Sequence, residues 1–90
     1  MKTVAQYVDF LKSKGFHLRE DAIGFIHFGK QYTKATDELT NTAIELTLKA
    51  QKEFDGSYYI SLLEMLVKNK ISTRGAAIRF LKERELMAIS

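Results

Sequence analysis

The sequence predicts an all-α fold, a compact single domain of four to five short helices. Three observations carry that prediction. Apolar residues recur three and four positions apart along most of the chain, which places them on one helix face. Proline is absent from the 90 residues, where average usage would place about four or five, so the strongest helix breaker is missing. The stretches between the periodic segments hold Gly, Asn, Asp and Ser, which suit short turns. An α+β alternative stays open if residues 22–28 form a strand.

The first helix is predicted from about Thr3 to Lys14. Thr3 can cap it, Val4, Tyr7, Val8 and Leu11 form one stripe, and Gly15 followed by Phe16 can stop it in a left-handed turn. The second spans about Arg19 to Tyr32. Ala22, Ile23, Phe25, Ile26 and Phe28 make it apolar on nearly every side, as expected of a largely buried helix. Arg19, Glu20 and Asp21 suit a helix start. Gly24 and Gly29 each weaken a helix by about 1 kcal/mol relative to Ala. The β-branched and aromatic content of the same residues is what keeps the strand alternative open.

The third and longest helix is predicted over Thr36 to Phe54. Thr36 caps it, Asp37 and Glu38 complement its dipole, and Leu39, Ala43, Leu46, Ala50 and Phe54 share a face. Ile44 and Leu48 widen that face enough for two neighbours, and Asp55-Gly56 ends the helix. The fourth runs from Ser57 to about Lys68, with Tyr59, Ile60, Leu62, Leu63, Leu66 and Val67 apolar and Asn69 as its left-handed stop. The fifth opens at Ser72 or Thr73 and carries Ala76, Ala77, Phe80, Leu81 and Leu86. Phe10, Phe16, Phe25, Phe28, Phe54 and Phe80 are assigned to the core, each contributing about 1.5–3 kcal/mol if fully buried.

Composition narrows the function. Apolar residues are 46 % and charged residues 28 % of the chain, the balance of a folded globular domain spanning 1–90. Without cysteine there is no disulfide framework, thiolate metal site or cysteine nucleophile. The longest near-continuous apolar stretch, Ala22 to Phe28, contains Gly24 and His27 and is far too short for a membrane span, so no membrane partner is expected. The N-terminus has Lys2, but Gln6 and Asp9 interrupt what would be the apolar core of a signal peptide, and the expected location is cytoplasmic.

Catalysis finds little support. Gly24 and Gly29 stand apart from any Lys-Ser/Thr pair, so there is no phosphate loop. Ser and Thr at helix starts and the Asp37-Glu38 pair are explained by capping and the helix dipole. His17, Glu20, Asp21 and His27 have some metal-ligand character, yet they lack the spacing of a three- or four-ligand site. The expectation is a non-enzymatic protein with no cofactor, no metal and no small-molecule substrate.

Two binding readings remain. The leading one is a protein–protein interaction or regulatory module that self-associates or binds another protein, with Tyr32, Tyr58 and Tyr59 as interface residues. Tyr58 and Tyr59 are adjacent and cannot share a helix face, so one of them should turn inward. The alternative is a helix-turn-helix DNA-binding regulator built on residues 57–86. Residues 66–90 hold six basic and two acidic side chains, an asymmetry that would favour nucleic acid. Ser72, Thr73, Arg74 and Ala77 would face the bases, with Lys68, Lys70 and Arg79 near phosphates. Arg79 and Glu83 are also spaced to pair within the fifth helix.

The run from Ser72 through Arg74, Gly75 and Ala77 to Lys82 resembles the recognition helices of winged-helix regulators. It departs from them in having only Met87 to Ser90 after the helix pair, too few for a wing. As a whole, the chain resembles short, cysteine-free cytoplasmic proteins of unknown function from Bacillus-type bacteria. Asp21-Ala22-Ile23-Gly24-Phe25-Ile26 and Lys52-Glu53-Phe54-Asp55-Gly56-Ser57-Tyr58-Tyr59 carry that resemblance, and it implies no particular activity.

Overall fold

Local side-chain caps set where four of the five described helices begin. Thr3, Thr36 and Thr73 accept hydrogen bonds from the backbone N–H three residues on, and Asp55 does the same for Tyr58. In the structure, a computed structural model describing residues 1–84, the resulting elements are α1 (Val4–Ser13), α2 (Glu20–Thr33), α3 (Asp37–Gln51), α4 (Gly56–Lys68) and α5 (Arg74–Glu83). No strand occurs among the described residues, and residues 22–28 lie inside α2. Leu86, the predicted far end of the fifth helix, lies outside the described residues. None of the described helices is long and apolar enough to cross a membrane.

Left-handed residues end α1 to α4, and most of them are lysines. Gly15 (φ 94°) closes α1 as expected, with Phe16 N–H donating to Leu11 O and Gly15 N–H to Lys12 O. Lys34, Lys52 and Lys70 occupy the same backbone region after α2, α3 and α4. Two sequence expectations change here. Asn69, the predicted stop of α4, keeps φ at −92°, and Lys70 turns instead, with Ile71 N–H reaching back to Leu66 O. α3 stops at Gln51 rather than Phe54, because Lys52 turns left-handed and Asp55 is already committed to capping α4.

α3 is the centre of the domain and packs against α1, α2, α4 and α5. It buries Leu39, Ala43, Ile44 and Leu46 together with Thr40, Thr42 and Thr47. Those threonines tolerate burial because their hydroxyls donate to carbonyls one turn back, at Thr36, Glu38 and Ala43. α4 adds Tyr59, Leu62, Leu63 and Leu66, and α5 adds Ala77, Phe80 and Leu81. Lys30 Nζ reaches Asp37 Oδ1 at 3.1 Å and ties the end of α2 to the start of α3.

Three of the six phenylalanines assigned to the core are not in it. Phe80 is buried and Phe25 and Phe54 are half-buried, but Phe10, Phe16 and Phe28 are 39, 47 and 53 % exposed. The reason is angular. Ile26 and Gly29 define the buried side of α2, and Phe28 sits about 200° round the helix from Ile26. Phe16 follows the end of α1 and Phe10 lies off the side marked by Val4 and Leu11.

Candidate functional site

Phe28 and Tyr32 are one turn apart on the solvent side of α2, and their rings stack with centroids 5.6 Å apart at 15°. Phe25 joins this surface pair to the core: its ring is tilted against Phe28 at 6.0 Å and meets Tyr59 edge-on at 6.2 Å. Tyr32 is 63 % exposed. α4 packs beside α2, so that Tyr32, Thr33, Glu64, Val67 and Lys68 line an open groove of ≈ 470 Å³. Glu64 and Lys68 are exposed, and neither enters an ion pair among the described residues. Phe10 differs from this pair because Lys2 and Lys14 place their ammonium groups 4.9 and 5.6 Å from its ring.

The three tyrosines predicted for an interface separate. Tyr32 is on the surface just described. Tyr58 is half-buried, and burial raises its phenol pKa. Tyr59 is fully buried and is not a surface residue: it donates its hydroxyl to Ile26 O at 2.7 Å, and burial pushes its ionisation far up. Its ring occupies the space that a side chain at Gly29 would need, since a Cβ there would meet Tyr59 Cε2 at 2.8 Å. Phe28, Glu64 and Val67 were not singled out for the site by sequence. The i, i+4 spacing of Phe28 and Tyr32 puts them on one side of the helix, but nothing in the sequence marks that side as the exposed one.

Of the predicted DNA-reading set, Arg74 is engaged within the fold. Arg74 Nε and Nη2 donate to the two carboxylate oxygens of Glu45 at 2.8 and 2.7 Å, and Arg74 N–H donates to Glu38 Oε2 at 3.0 Å. The start of α5 is thus docked on acidic side chains of α3, where a groove-reading helix would need it free. Ala77 is in the core and Thr73 is the cap of α5. Lys68, Lys70, Ser72 and Arg79 are exposed. Arg79 and Glu83 make no ion pair among the described residues. Their order, base before acid, is the weaker orientation along a helix.

The Arg74 hydrogen bonds hold the Glu45 carboxyl below its ordinary range against the opposing effect of burial. Burial, followed by the nearby Glu45 charge, raises the Tyr7 phenol. Tyr7, Glu38, Asn41, Thr42, Glu45 and Arg74 line a cleft of ≈ 290 Å³ with Met1 and Lys2. Glu38, Glu45 and Arg74 are engaged with one another, and Asn41 Nδ2 donates to Lys2 O. A further open hollow of ≈ 660 Å³ lies between the starts of α2 and α4. Its two acids are occupied: Asp21 lies 3.4 Å from Arg19 Nε, and Asp55 caps α4. No three His, Asp or Glu side chains among the described residues converge to hold a metal ion, so His17, Glu20, Asp21 and His27 do not assemble.

The sequence matches a protein family, described as "Family of unknown function (DUF6123)", over residues 1–87. The chain belongs to that family. No curated protein and no solved structure matches it. The match includes every described residue, so the aromatic face of α2, the α4 groove and the Arg74 clasp all fall within the family's domain.

Proposed function

We propose that the chain is a small non-enzymatic protein–protein interaction module whose contact surface is the aromatic face of α2. The observation that carries this reading is the exposed, stacked Phe28–Tyr32 pair. Large aromatic side chains are the usual anchors of binding surfaces, because covering them removes much apolar area from water. These two rings are already ordered against each other, so less side-chain freedom is lost when a partner covers them. The absence of an enzyme role is part of the proposal. It is supported by the carboxylates around the clefts, which serve as caps and ion-pair partners. The proposed setting is the cytoplasm, where a domain must fold without disulfides, as this cysteine-free chain does.

The test places a photo-crosslinking phenylalanine analogue at position 32 in cells, with position 12 on α1 as control. Discrete protein adducts from position 32, missing from position 12 and lost when Phe28→Ser is added, are the expected result. Identical adduct patterns from the two positions would overturn the reading.

A further inference from the structure

We infer that the occupant of this face is a second copy of the chain, docked about a two-fold axis so that each Glu64 faces the other copy's Lys68. The inference rests on the interaction reading above and goes further by naming the partner. A two-fold contact uses the same patch on both copies, so the patch must complement itself. The α2–α4 face meets that condition. Tyr32 stacks on Phe28 and lines the groove together with Val67, so the face offers apolar area that can meet its own image. Beside that apolar area the groove carries one acid and one base, so the groove's charge is balanced and two copies do not repel there.

The two charges stand in the order Glu then Lys, four residues apart on α4, which favours a pair within one helix. They form none, and both stay exposed without another partner among the described residues. Across a two-fold axis, this one pair of unspent charges makes two ion pairs. Ion pairs at the rim add little affinity, but they fix register and exclude wrong alignments. A specific dimer covers about 800 Å² on each partner, so the contact extends beyond the groove along the outer faces of α2 and α4.

The purified chain is examined by sedimentation equilibrium up to about 500 μM, where even a weak dimer with a Kd near 100 μM is well populated. The expected species is a dimer that Phe28→Ser abolishes. Glu64→Lys alone and Lys68→Glu alone each set like charges face to face twice and should weaken it at least about tenfold. The double variant Glu64→Lys with Lys68→Glu should return the Kd to near its starting value. Unchanged helical circular dichroism in every variant shows that the readout is association rather than folding. A monomer throughout the range overturns the second-copy inference, as does a dimer that the double variant fails to restore. If the chain is monomeric while position 32 still crosslinks to a different protein in cells, the interaction reading stands and only this inference falls. A dimer indifferent to Phe28→Ser overturns the second-copy inference, and the interaction reading falls with it only if position 32 also gives the same adducts as position 12.

Discussion

Two glycines of one helix serve opposite ends. Gly24 is exposed, and a Cβ built on it meets no heavy atom within 4 Å. Gly29 is buried against Tyr59, whose ring is held by its hydrogen bond to Ile26 O and by Phe25 and Phe54. Gly24→Ala should therefore raise stability by up to about 1 kcal/mol through helix propensity alone. Gly29→Ala gains the same propensity but drives a methyl into a fixed ring, and overpacking of that kind costs about 1–3 kcal/mol. Urea denaturation of the two variants should move the midpoints in opposite directions. A stabilised Gly29→Ala would mean that α2 and α4 do not approach as closely as described.

α5 is the element whose first turn looks most different once the tertiary contacts are in place. Its first turn reads as a recognition surface when taken alone, yet Arg74 is bound to Glu45 and Glu38, 29 and 36 positions away. Arg74→Ala is expected to lower stability by about 0.5–1 kcal/mol, a modest loss because the arginine side chain is half exposed. The same substitution should leave affinity for mixed-sequence duplex DNA unchanged in a fluorescence-anisotropy titration. A selective loss of DNA affinity with stability intact would restore the recognition-helix reading.

The Arg74–Glu45 pair also has a pH signature. The folded pKa of Glu45 lies below its unfolded value, so the group binds protons more readily when unfolded. Its stabilising contribution is full above the ordinary glutamate value of about 4.3 and is lost as pH falls from there through the depressed folded value. The urea midpoint should fall over that acid window, and Arg74→Ala should flatten the fall. An identical acid profile in both proteins would argue against the pair.

At the scale of the whole molecule, the surface proposed for binding is one that folding leaves alone. Phe28 projects from the side of α2 away from the core, so at a concentration low enough to keep the chain monomeric Phe28→Ser should shift the thermal midpoint little, with a stability change within about ±0.5 kcal/mol. A large loss by circular-dichroism melting would mean that the ring belongs to the fold. The sequence by itself determined the helical class, the short turns and nearly every helix start. Those depend on contacts three or four residues apart, such as Thr3 with Gln6 and Thr36 with Leu39. It did not determine which side of α2 faces out, because apolar residues surround that helix and periodicity cannot rank its faces. The close approach of Gly29 to Tyr59 chose the buried side and left Phe28 in solvent. The lysine stops of α2, α3 and α4 and the clasp on Arg74 were likewise hidden. A lysine carries no local signal for a left-handed turn, and the partners of Arg74 are near it only once α3 and α5 have packed.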